Sequence, residues 1–172
     1  EADDAIGAVA KFAANNNMHA YLCSSDKDLC QLVDEKTSII HTHKNNQHID
    51  QKTVLDKYGI TPEQFIDYLA IVGDTSDNIP GIKGFGPKTA AKLLQEYGTL
   101  GKILENTASM KNAKRAQKIE EEKDNALISY QLATIQTDLS IPREITFYQE
   151  KKTSLEEKKE FLEEMEFSSL IK

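Results

Sequence analysis

The chain lacks any apolar run near the about 18 residues that a membrane span needs, and no signal peptide opens it. The expectation is therefore a cytoplasmic protein with no membrane partner. Cysteine is scarce, and Cys23 and Cys30 have neither C-x-x-C spacing nor the pattern of a zinc-ligand set. That excludes a disulfide framework and leaves two reduced core thiols as the simplest expectation. His41, His43 and His48 are loosely spaced around a turn at Asn45-Asn46, which suits a hairpin surface better than a zinc site. No internal repeat and no low-complexity segment is present. There is no Met at the start either: the sequence opens at Glu1 inside an acidic motif and reads as a piece of a longer protein. Its 172 residues suit one domain.

Positive charge is short overall, with a net of −7, which on its face argues against a polyanionic partner. The distribution reverses that reading. Residues 1–80 hold 6 Lys/Arg against 13 Asp/Glu, a net of −7. Residues 81–118 hold 8 against 2, a net of +6, and residues 119–172 hold 7 against 13, a net of −6. Screening confines a field to about 8–10 Å at physiological salt, so the local balance governs contact with a polyanion.

Glu1 to Ala14 reads as a helix with an apolar stripe at Ile6, Val9, Ala10 and Ala13. Glu1 and Asp4 share a face at i, i+3, whereas Asp3 points elsewhere; acids in a first turn also suit the helix dipole. His19–Cys23 reads as a short buried strand, followed by Ser24-Ser25-Asp26-Lys27-Asp28 at its carboxyl end, where open α/β sheets bind ligands. Ser25 or Asp26 would also cap a helix over Lys27–Leu32. Thr37–His41 reads as a further strand. Asp50 caps a helix to Tyr58 that Gly59 stops, and Thr61-Pro62 starts another that ends at Gly73, with Phe65, Leu69 and Val72 facing a core.

Gly73 to Ala90 is the stretch around which the rest is organised. Asp74 and Asp77 lie on a tight turn, and carboxylates bind hard divalent cations through oxygen. Gly84-Phe85-Gly86 then forms a glycine hairpin opening a helix over Pro87–Tyr97, and such a helix start suits phosphate. Lys88 and Lys92 share one face of that helix, with Lys83 beside it. A helix over Leu100–Glu105 follows. Lys111, Lys114, Arg115 and Lys118 form a second basic cluster. A long helix continues from there through Glu120–Asp124 towards Tyr130, and Ser154 heads a last helix, Leu155–Met165, with Phe161, Leu162 and Met165 as its buried positions. Seven carboxylates, Glu1, Asp3, Asp4, Asp26, Asp28, Asp74 and Asp77, thus sit on turns or helix starts. Packed together they would require cations, and paired cations next to a phosphate-binding hairpin suit phosphodiester hydrolysis.

Three ordered blocks, Glu1-Ala2-Asp3-Asp4, Ser25-Asp26-Lys27-Asp28 and Gly73 through Ala90, resemble the signature blocks of the 5′ nuclease (flap endonuclease) superfamily. The likeness is greatest to the 5′–3′ exonuclease domains of bacterial DNA polymerase I, and Ser129–Ile135 and Glu166–Leu170 extend it over essentially the whole chain. The resemblance implies a helix-rich α/β fold, the carboxyl-terminal part of a PIN-like 5′ nuclease domain with a helix-hairpin-helix subdomain. Residues 1–80 would be a partial nuclease core with the acidic site, 81–118 the duplex-binding region, and 119–172 a helical region packing on the core. It implies two Mg²⁺ or Mn²⁺ ions, the first held by Glu1, Asp3, Asp4 and Asp26, the second by Asp28, Asp74 and Asp77 with Asp26 near both. Asp26, Asp74 and Asp77 would be the catalytic carboxylates. Lys83, Gly84, Phe85, Gly86, Lys88, Thr89 and Lys92 would contact DNA, and K⁺ would sit at the hairpin carbonyls. The implied partner is double-stranded DNA with a nick, 5′ flap or 5′ end, and the implied chemistry is in-line attack by water that leaves a 5′-phosphate. Primer removal and flap trimming in replication and repair would be the role.

Ser25 stands where the family usually has Gly, a small-for-small change expected to be harmless. The family's first half brings further metal-binding aspartates, central strands and an arch with a catalytic Lys and Arg, none of which precedes Glu1. The 172 residues alone are therefore expected to bind duplex but cleave poorly or not at all, and apolar surface near Leu22 and Ile39, bordering missing strands, is expected to lie open or be covered by another chain. The missing amino-terminal part of the domain and a polymerase domain in the same chain are further implied partners. The competing reading is a non-catalytic helix-hairpin-helix module that docks duplex DNA, its acids only capping helices.

Overall fold

A computed structural model describes residues 1–150 and 152–171. Eight α-helices occur among them: α1 (Ala2–Asn15), α2 (Gln51–Tyr58), α3 (Phe65–Val72), α4 (Pro87–Tyr97), α5 (Leu100–Glu105), α6 (Ala113–Glu121), α7 (Lys123–Ala133) and α8 (Leu155–Glu164). Three strands, β1 (Ala20–Cys23), β2 (Thr37–His41) and β3 (Gln47–Ile49), form one sheet in the order β1-β2-β3. The chain divides into two compact units, Glu1–Ile141 and Pro142–Lys172.

In the first unit β1 runs parallel to β2, with Leu22 opposite Ile39, and β3 returns antiparallel through the Asn45-Asn46 turn. Both asparagines adopt positive φ, which their short polar side chains tolerate. The crossover from β1 to β2 carries a helix where the sequence suggested one over Lys27–Leu32, and it is a 3-10 helix, Asp28–Leu32.

β1 is not a buried strand. It has a neighbour on one side only, and Tyr21 is 62% exposed. The two cysteines therefore differ: Cys30 is buried, which pushes its thiol up to about 11, whereas Cys23 is exposed on β1 and is not a core residue. Leu22 is half-buried and, with Ile6 and Val9 of α1, lines an apolar groove of about 600 Å³, while Ile39 beneath it is buried.

Capping signals set the helix ends. Thr53 N donates to Asp50 Oδ1 at 2.8 Å, and Gly59 closes α2 at φ 71°. Thr61 and Gln64 form a reciprocal capping box with Pro62 at the first position, so a 3-10 turn, Pro62–Gln64, leads into α3. Helix α3 is the central element. Phe65, Leu69, Ala70 and Ile71 are buried against α4, α5 and α7, and Tyr58 meets the Phe65 ring edge-on at 5.0 Å. Burial of Phe65 or Leu69 contributes about 1.5–3 kcal/mol each.

The long helix expected through Glu120–Asp124 is interrupted. Glu122 leaves helical geometry (φ −105°, ψ 12°), and its carboxylate accepts from Lys118 Nζ at 2.9 Å and Asn125 Nδ2 at 2.6 Å. It thereby separates α6 from α7 at a break that the continuous helical pattern conceals.

In the second unit, Ser154 and Glu157 form the capping box that starts α8. Phe161 and Met165 are not buried: Phe161 is 57% exposed, and no residue of α8 is buried. One helix and two short 3-10 segments, Ile145–Tyr148 and Ser168–Leu170, provide no second layer within the unit for an apolar stripe to pack on.

Candidate metal centre and nucleic-acid interface

The acids reach one place because three segments bring them there. Glu1, Asp3 and Asp4 stand at the start of α1, Asp26 and Asp28 follow β1, and Asp77 lies on the turn after α3. These six line a single cleft of about 370 Å³, closed by Ile79 and by Leu132–Ile135 at the end of α7. Asp3 does not point elsewhere: the cleft lies at the end of α1 rather than along its side, so all three first-turn acids reach it. Asp74 is buried, and one carboxylate oxygen from each of Asp28, Asp74 and Asp77 lies within 4.8 Å of the others.

The turn that carries Asp74 and Asp77 is shut at its root. Asp74 and Ile79 exchange backbone hydrogen bonds at 2.9 and 2.7 Å, and Asn78 takes positive φ between them. Gly73 (φ 74°) and Gly81 (φ 61°) approach backbone to backbone. A Cβ on Gly81 would lie 2.5 Å from Gly73 N, so no other residue fits there. Gly81 N also donates to the buried Ser129 Oγ at 2.9 Å, tying the turn to α7. Across the cleft, the Gln31 side chain bonds Ala133 O at 2.9 Å and Ile135 N at 3.0 Å, and Gln136 N donates to Asp4 Oδ1 at 2.7 Å.

The electrostatics follow from this crowding. Burial, reinforced by Asp26, Asp74 and Asp77 and opposed by Lys27, pushes the Asp28 carboxyl up to about 6. Burial and the negative charges of Asp26, Glu1, Asp4 and Asp77 raise Asp3 as well. Asp74 goes the other way, to about 2, because the Lys27 ammonium and the Ser76 hydroxyl and N–H bond its ionised form. Lys27 Nζ pairs with Asp74 Oδ2 and lies 3.5 Å from Asp28 Oδ1, which is itself buried and accepts no hydrogen bond. A buried carboxylate oxygen without a donor, among oxygens of two other acids, fits a hard cation. Asp26 combines two jobs: its Oδ1 accepts from Asp28 N at 2.9 Å, capping the 3-10 turn, and it still lines the cleft.

The basic segment begins where this turn ends. Ile82 N donates to Ile71 O at 2.8 Å and Phe85 N to Ile82 O at 2.9 Å, leading the chain into the hairpin. Phe85 packs partly on the core, while Lys83 and Gly84 are exposed. Gly84 has φ 88°, and a Cβ on Gly84 or Gly86 would meet nothing within 4 Å, so this backbone is open to approach. No side chain caps the N-terminus of α4, where Gly86, Pro87, Lys88 and Thr89 line an open hollow of about 380 Å³. Lys88 and Lys92 project from α4 into solvent, whereas Ala90, Leu93 and Leu94 are buried. In the second basic cluster Lys118 is taken up by Glu121 at 3.7 Å and Glu122 at 2.9 Å.

Residues 60–157 match the family described as 5′-3′ exonuclease, C-terminal SAM fold, and residues 1–59 match its N-terminal resolvase-like domain. The chain belongs to the 5′-3′ exonuclease family. Both of the family's domains are represented, where the sequence reading placed the chain in the carboxyl-terminal portion. This exonuclease-family chain is 46% identical over 144 residues to DNA polymerase I of Bacillus subtilis, covering 82% of the chain and 16% of that protein. It is 39% identical over 171 residues to the thermostable DNA polymerase I of Thermus aquaticus, covering 99% of the chain and 20% of that protein. Among solved structures it is similar to the bacteriophage T5 flap endonuclease in a pseudo-enzyme-product complex with DNA and metal ions. There the TM-score is 0.72 at 25% identity, over 80% of this chain and 50% of that one. The chain thus spans a fifth or less of the curated relatives and half of the phage enzyme.

Lys27, Gln31, Ser76 and Ser129 were not singled out by sequence reasoning. Lys27 was visible as a cation between two aspartates, but its target, 47 residues away in sequence, was not. Ser129 heads a stretch that carries the family resemblance, but nothing local to it marks its bond to Gly81 N, 48 residues away.

Proposed function

We propose that this exonuclease-family chain carries the divalent-metal site and the duplex-gripping hairpin of a structure-specific 5′–3′ deoxyribonuclease acting on nicks, 5′ flaps or 5′ ends. The observation that carries the reading is the cleft itself: six acids line it, a seventh stands behind, and one buried carboxylate oxygen lacks a donor. We assign Asp28, Asp74 and Asp77 to one ion and Glu1, Asp3, Asp4 and Asp26 to the other, with Mg²⁺ or Mn²⁺ as the ions and K⁺ at the hairpin. When bound, divalent cations supply the positive charge on which phosphoryl transfer depends.

The chain's own residues then divide the work. Asp26, Asp74 and Asp77 fix the negative cradle, with Asp74 ionised throughout the physiological range because its carboxyl is held near 2. Ile79, Leu132 and Ile135 supply the apolar part of the cleft wall. Lys83, Phe85, Thr89 and the backbone at Gly84 and Gly86 form the docking surface for a DNA backbone, with Lys88 and Lys92 beside it as cationic contacts. The T5 enzyme's complex with DNA and metal ions supports pairing the two sites in one reaction. A cytoplasmic setting, a polymerase domain in the same protein, and the division at residues 80 and 118 belong to this same reading.

Replacing Asp74 and Asp77 together with Asn, in the longer protein, is expected to abolish metal-dependent cleavage of a 5′-flap duplex and leave duplex binding within a few-fold. Cleavage that survives both changes would refute the assignment and favour a DNA-docking module whose acids only cap helices.

A further inference from the structure

Among the described ion pairs, Lys27 is the side-chain cation that reaches the acids of the cleft; the other cation there is the amino terminus of Glu1, 3.4 Å from Asp4 Oδ2. The Lys27 ammonium carries one positive charge and faces two carboxylates, Asp28 and Asp74, whose oxygens lie within 4.8 Å of one from Asp77. It pairs fully with Asp74 alone, standing 3.5 Å from an Asp28 oxygen that accepts no hydrogen bond. An ammonium is a point charge with three donors on a flexible stem, so it can hold this position and also leave it. The side chain is 43% exposed. Asp74 does not depend on it for position. Its other oxygen accepts from Ser76 N at 2.8 Å and from the Ser76 hydroxyl, and its backbone is paired with Ile79.

We propose that the Lys27 ammonium is a resident counter-ion seated between Asp74 and Asp28, which a divalent cation must displace, so that Lys27 sets the metal affinity of the site. The inference rests on the reading of Asp28, Asp74 and Asp77 as metal ligands. It differs from a positioning role in sign. A lysine that holds Asp74 in place would aid metal binding, whereas a competing cation opposes it.

The test titrates the whole chain with Mn²⁺ and follows the free-ion signal by electron paramagnetic resonance. Lys27→Met is expected to bind Mn²⁺ roughly fivefold more tightly than wild type, the worth of a part-exposed ion pair no longer broken. Lys27→Arg, which keeps the charge, stays close to wild type. Unchanged or weaker binding by Lys27→Met overturns the proposal while leaving the metal site intact. No Mn²⁺ bound by either chain overturns both. A second measurement uses the unaltered protein: acetylation of Lys27 by a water-soluble ester, read by mass spectrometry, should quicken severalfold when Mn²⁺ is added, while that of Lys57 does not. An acetylation rate indifferent to Mn²⁺ overturns the displacement.

Discussion

At the residue scale, two glycines and one aspartate decide most of what the cleft can do. Gly81→Ala would force a Cβ to within 2.5 Å of Gly73 N and strain a φ of 61°. It is expected to cost about 1–3 kcal/mol in urea unfolding and to loosen the turn bearing Asp74 and Asp77. Asp28 makes the metal-free protein pH-sensitive. Its folded value of about 6 lies above the unfolded value of about 3.9, so its contribution is present in full below the unfolded value and is lost as pH rises through 6. Asp3 and Asp67, both raised by burial, carry the same sign. Asp74 carries the opposite one: its contribution is present above the unfolded value and is lost as pH falls towards 2. In EDTA, melting temperature should therefore fall between pH 4 and pH 6, and Asp28→Asn should lessen that fall. A profile unaffected by Asp28→Asn would contradict the origin assigned here. The seven acids were legible because each stands on a turn or helix start beside an apolar element. Asp67, which accepts from Leu100 N at 2.9 Å in the core, was not, because nothing local distinguishes a buried cap from a solvent-facing acid.

At the element scale, the proposed function assigns binding to the hairpin and α4 and chemistry to the acidic cleft. Lys88 projects from the first turn of α4 and makes no ion pair among the described residues, so its removal disturbs little else. Lys88→Ala should weaken binding about equally across duplex sequences and reduce the slope of log affinity against log salt by about 1. A sequence-dependent loss, or an unchanged slope, would argue against a phosphate contact. Helix boundaries were the most legible part of the sequence, since Asp50, Gly59, Pro62, Gly98 and Ser154 act through local hydrogen bonds and backbone preference. The exposure of β1, the break at Glu122 and the bare face of α8 were not. Each depends on which neighbour is present, a matter of tertiary contact rather than periodicity.

At the scale of the whole molecule, an acidic chain is divided so that its one basic stretch, residues 81–118, starts where the acidic turn closes. That adjacency is covalent: Gly81 ends the Asp74–Asp77 turn and Ile82 leads into the hairpin, so the acidic cleft and the basic hairpin are joined through Gly81–Ser129 and Ile82–Ile71 hydrogen bonds. The field of the basic segment would draw a phosphate backbone to the chain, and the cleft repels it until cations neutralise the acids. Among the described residues no helix is long and apolar enough to cross a membrane. The most direct test is a crystal of this chain soaked in Mn²⁺ and measured at the manganese absorption edge. Anomalous peaks between Asp28, Asp74 and Asp77, and between Asp26 and the first turn of α1, are the expected result. Peaks confined to other surfaces, with this cleft holding none at saturating Mn²⁺, would contradict it.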